Sequence, residues 1–293
     1  MKINILNTNQ LYAELRSLPE SERTAFFDEK FMQPFAPMFE RMNMPRDPDA
    51  LGYLAPTGTD NAIEDMLNQL CSTDAWNKVY QAMELAESSL IKSDIQVPDE
   101  LLLGIFLANP MIFAESQGYT GIGSCPGYIQ IVIAPNAYNL PRLSSCAVHE
   151  FHHNVLFKNV NWNFLNVRLS QYLAVEGLAE SFAAALYGKE FIGPWVSNVN
   201  EADLKKASSI IGDNIDIEGF MKVRKYMYGD HPMVPEGKSL GIPYCAGYAV
   251  GYHAVQSYML KMSKTVAEAT KAFIDGEDIV KQSGYFSDMR TAH

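Results

Sequence analysis

The chain has 293 residues, of which 47% are apolar and 19% charged, which suits a large buried core and excludes a disordered or fibrous protein. The formal net charge of −11 gives an acidic surface that repels phosphate backbones and anionic lipid. Neither nucleic acid nor a membrane is therefore expected as a partner.

The first residues lack the apolar core of a secretory signal, and no run approaches the length of a transmembrane helix. Cys71, Cys125, Cys146 and Cys245 are scattered without CxxC pairing. They predict reduced, buried thiols and a cytoplasmic protein.

In chain order, residues 8–44 predict one or two helices broken at Leu18-Pro19. A Pro-, Gly- and Asp-rich loop over 45–59 follows, and residues 60–70 and 74–92 return to helical spacing. Leu101–Ala108 predicts a strand, Gly118–Gly127 a glycine-rich turn, and Tyr128–Ala134 a second strand. From Pro141 the pattern predicts helices over 141–158, 162–187, 201–211, 216–228, 246–263 and 265–274, with a Pro- and Gly-rich loop at Gly229–Pro243. The expectation is an α+β, mainly helical chain with a small, mostly antiparallel sheet (100–135) and a helical C-terminal lobe. An N-terminal helical segment (1–95) precedes a larger domain (96–293).

Residues 149–153 read His-Glu-Phe-His-His, which contains H-E-x-x-H at His149, Glu150 and His153. On a helix, residues four apart share a face, so two imidazoles can bind one zinc ion. Glu150 sits about 100° further round the helix, where it can reach water at the metal without ligating it. Three of the six histidines lie in this short stretch, behind the apolar-rich run Leu143–Val148. His152 reads as a supporting donor or a packed side chain, and Cys146 as a small buried thiol.

A hydrolytic zinc site needs a third protein ligand and an open fourth position. Glu176 and Glu180, again four apart, offer one carboxylate to ligate and another to orient a ligand histidine. Gly177 in the same helix predicts a close helix approach, expected toward the His149–His153 helix.

The motifs HEFHH, EGLAESF and GYAVGYHAV resemble the bacterial predicted zinc-dependent proteases of the YjaZ type. More remotely they are similar to the thermolysin-like gluzincins, whose spacer between HExxH and the glutamate motif is a few residues shorter. The resemblance implies a zincin-like fold and one zinc per chain. It implies His149, His153 and Glu176 as ligands, Glu150 as general base, and Glu180 behind a ligand histidine.

Tetrahedral intermediates develop charge that needs a donor, and Tyr248 and Tyr252 open a helix after a Pro/Gly-rich loop. Both are candidates, with His231 and His253 behind them. The strand Ile129–Ile133 reads equally as an edge that adds an extended peptide or as an ordinary core strand, since it is nearly all apolar, and the sequence does not separate the two. The leading expectation is a zinc peptidase acting on a peptide or protein. A zinc hydrolase of another amide or ester, and a non-catalytic peptide-binding zincin, are the alternatives.

Overall fold

The computed structural model describes residues 1–231, 234 and 239–287, so the expected loop over 229–243 lies partly outside the described residues. Two units result, residues 1–88 with 97–155, and residues 89–96 with 156 onward.

The first unit begins with β1 (Lys2–Ile5), a strand the sequence pattern does not predict. Helices α1 (Thr8–Ser17), α2 (Glu20–Phe27) and α3 (Ala36–Met42) follow. The expected break falls where Leu18 turns extended, because the Pro19 ring disfavours helical geometry before it. Next come α4 (Asp60–Ser72) and α5 (Ala75–Leu90). Then follow β2 (Glu100–Leu107), β3 (Tyr119–Cys125), β4 (Tyr128–Ile133) and α6 (Leu143–Asn159).

The sheet order is β1-β2-β4-β3. β1 with β2 and β2 with β4 run parallel, and only β3 with β4 is antiparallel. The sheet is thus mixed, which corrects the expectation of a mostly antiparallel one. Parallel pairing suits β2 and β4 because both are covered on both faces. Ile129, Ile131 and Ile133 are fully buried, about 1.5–3 kcal/mol each in favour of the fold.

A further expectation changes. The glycine-rich segment expected as a turn is mostly strand β3, with turns only at its two ends, at Gly118 (φ +83°) and at Pro126-Gly127 (Gly127 φ +92°). Of the two readings open for Ile129–Ile133, the core strand is the one observed: β4 lies inside the sheet, and β3 is the outer strand on that side.

One sheet face packs on an aromatic layer. Phe27 stacks on Phe31 at 4.4 Å and Tyr53 on Phe106 at 4.9 Å. α6 covers the other face along β3, where Gly121 and Gly123 lie directly under Glu150.

The second unit contains α7 (Leu169–Tyr187), α8 (Pro194–Ser197), α9 (Glu201–Gly212) and α10 (Phe220–Tyr228). It continues with α11 (Ala246–Met262), α12 (Val266–Ile274) and α13 (Ile279–Gln282). α7 and α11 pack backbone to backbone. A Cβ on Gly177 would come within 3.0 Å of the Gly251 carbonyl, and one on Gly251 would crowd that of Leu173. Gly177 therefore serves the contact with α11, not the expected approach to the His149–His153 helix. Among the described residues no helix is long and apolar enough to cross a membrane.

Candidate metal centre

α6 is buried on every side from Ser145 to Leu156, although its sequence there carries three histidines, a glutamate and an asparagine. Buried polar groups cost several kcal/mol unless they are used, so these side chains need partners or a ligand.

Asn154 meets that need through the sheet. Its Nδ2 donates to the carbonyls of Gly123 (2.6 Å) and Tyr128 (2.8 Å), and its Oδ1 accepts from the Gly127 N–H (2.6 Å). All three bonds tie α6 to the β3–β4 hairpin.

His149 and His153 stack one turn apart, as their spacing requires, and are 4% and 5% exposed. Their Nε2 atoms converge to 3.1 Å, with the rings edge-on. Two nitrogens on one tetrahedral zinc at about 2.0–2.1 Å lie about 3.3 Å apart, so the observed separation fits a shared metal. Glu176, also buried, completes a group with His149 and His153 whose ligand atoms all lie within 4.8 Å of one another. Two imidazoles and one carboxylate suit zinc and leave a fourth position open. A structural zinc site would have four protein ligands, commonly cysteines.

Glu150, 6% exposed, stands outside that group. Its side chain lies against Gly121 of β3, which fixes it on the sheet side of α6. His152 is fully buried and is also outside the group.

On α7, both oxygens of Glu180 accept hydrogen bonds, from the Gly193 N–H (2.5 Å) and the Trp195 Nε1–H (2.7 Å). Its carboxylate is oriented by these two donors of the segment after α7.

Glu176 has three tyrosines around it. The Tyr172 and Tyr228 hydroxyls are 3.1 Å apart, and the Tyr228 and Tyr248 rings are 5.9 Å apart. Burial pushes all three phenols up from their ordinary acidity, and the Glu176 charge adds to this. They therefore stay protonated near neutral pH and able to donate. Tyr252, one turn beyond Tyr248, is buried, and its hydroxyl has no partner among the described residues. Burial raises its pKa too, with the Glu180 charge second.

Of the remaining candidates, burial lowers the His253 pKa, with Lys189 adding to the effect. The His231 ring lies against that of Tyr244, with centroids 4.3 Å apart.

Sequence reading missed Tyr172, Tyr228, Asn154 and the two β3 glycines. Tyr172 had a signal, since it lies four residues before Glu176 and so on its helix face. Tyr228 had none, because only packing brings α10 to α7.

A family model described as predicted Zn-dependent protease (DUF2268) matches residues 75–281. The chain is also 35% identical over 303 residues to YjfC, an uncharacterized protein of Bacillus subtilis (strain 168), covering 98% of this chain and all of that one. No solved structure gives a significant match.

Proposed function

The chain belongs to the family of predicted Zn-dependent proteases, and on that premise we propose that it is a zinc metallopeptidase with one zinc per chain. His149, His153 and Glu176 are the ligands in this reading, within a zincin-like fold. The observation that carries it is the buried group of two imidazoles and one carboxylate with a further glutamate, Glu150, next to a ligand but outside the set. A purely structural metal site has no use for that glutamate.

Bound zinc supplies Lewis acidity, which acidifies water and polarises a carbonyl. Glu150 takes the proton of the attacking water and returns it to the leaving amine. Tyr248 donates a hydrogen bond to the oxygen that gains charge, with Tyr252 the second candidate for that role. Glu180, held by Gly193 and Trp195, orients a ligand histidine. The substrate is a peptide or protein, laid as an extended segment along β3, the outer strand. The four cysteines are free, Cys71 exposed where the sequence predicts a buried thiol, and in this reading the setting is cytoplasmic.

The test compares newly formed protein N-termini after treating a cell extract with wild type or with Glu150→Gln. The variant should fold and keep its zinc while turnover falls by several orders of magnitude. Identical sets of termini from the two proteins would end the peptidase reading.

A further inference from the structure

Gly121 and Gly123 occupy the interior of β3, where glycine is unfavourable because it adds flexibility and no packing. Neither has a positive φ, so backbone conformation does not require them. Their surroundings do. A Cβ on Gly121 would come within 3.0 Å of Cγ, Cδ and Oε1 of Glu150, the outer atoms of that side chain. A Cβ on Gly123 would come within 3.0 Å of the carbonyl group and Cβ of the same residue. The two glycines thus face one residue at two levels, carboxyl end and backbone.

We propose that Gly121 is a positioning residue for Glu150: the space left by its missing side chain is where the carboxyl end of Glu150 rests, and this sets where that carboxylate stands over β3. Gly123 has a different task, since it admits the backbone of α6. The hydrogen bonds of Asn154 to Gly123, Gly127 and Tyr128 hold the helix at that height. The glycines keep the contact from being blocked, and Asn154 keeps it from opening. The catalytic consequence rests on Glu150 acting as the base, whereas the packing relationship does not.

The two levels of contact give a test that needs no substrate. Melting temperatures are measured for Gly121→Ala and Gly123→Ala, each with Glu150 present and in a Glu150→Ala background. Glu150→Ala removes the atoms facing Gly121 but leaves those facing Gly123. Gly121→Ala should lower Tm by roughly 2–10 °C with Glu150 present and by under about 1 °C without it. Gly123→Ala should lower Tm in both backgrounds. If Gly121→Ala fails to fold, recovery of folding in the double variant carries the same meaning. Equal losses from Gly121→Ala in both backgrounds, failure of both to fold, or no loss in either, overturns the proposal.

On dye-labelled unfolded casein, Gly121→Ala should lower kcat about 100-fold with KM unchanged within about threefold. Its zinc affinity in chelator competition should stay within about threefold of wild type. An unchanged kcat overturns the positioning role. Absence of turnover by wild type counts against the peptidase reading, and the melting cycle still decides the packing relationship.

Discussion

The Nδ2 of Asn154 donates to the Gly123 carbonyl at 2.6 Å, and through this bond the helix bearing His149, Glu150 and His153 is fastened to β3. Asn154 is fully buried and carries two further bonds to the hairpin. Asn154→Ala should destabilise the protein by about 3 kcal/mol, since it leaves two carbonyls and one N–H without their partner. Asn154→Asp should be at least as harmful, because it replaces the donor facing two carbonyls by an acceptor. Urea unfolding of both variants checks the ranking. Tolerance of aspartate would contradict the donor role.

Metal content is the most direct measurement. The protein, stripped and reloaded, should hold about one zinc per chain by elemental analysis. His149→Ala with His153→Ala should abolish that binding. Zinc retained at an unchanged level in the double variant would place the metal elsewhere.

The two glutamates of α7 should separate by phenotype. Glu176 lies in the metal-capable group, while both Glu180 oxygens receive donors from Gly193 and Trp195. Glu180→Ala should weaken zinc binding or activity by about 10–100-fold, and Glu176→Ala should weaken zinc binding more. Competition titrations with a chelator decide the order. The reverse order would exchange the two roles.

Tyr248→Phe should lower kcat on the order of 100-fold with zinc content and KM little changed, as expected for loss of one donor to a developing oxyanion. Tyr252→Phe should be milder in kcat. Its buried hydroxyl has no partner among the described residues, so removing it should leave Tm unchanged or raise it. Paired measurements of kcat and Tm on both variants separate the cases. Full kcat in Tyr248→Phe would move the role to Tyr252, His231 or His253.

The metal-capable group was largely legible because its spacing is local. His149 and His153 meet through one helical turn, and Glu176 stood out as one of two carboxylates a turn apart on a neighbouring helix. From sequence β3 reads as a turn because glycine ordinarily breaks strands, and nothing local says that a glutamate on a later helix fills the space above it. The close packing at Gly177 is legible in the sequence, but its partner helix is not, since α7 has several faces and the sequence marks none as facing α11.

By itself the sequence determined the helices with strong periodicity, the break at Pro19, the strands β2 and β4, and the pair of histidines with Glu150 beside them. These follow from backbone periodicity and proline sterics, which act within a few residues. Only the tertiary structure decided the mixed pairing of the sheet, the outer place of β3, the seat of Glu150 on Gly121, and the tyrosines around Glu176. Each of these depends on which distant segments come together to bury apolar surface and satisfy buried polar groups, and that choice is made by the whole chain at once.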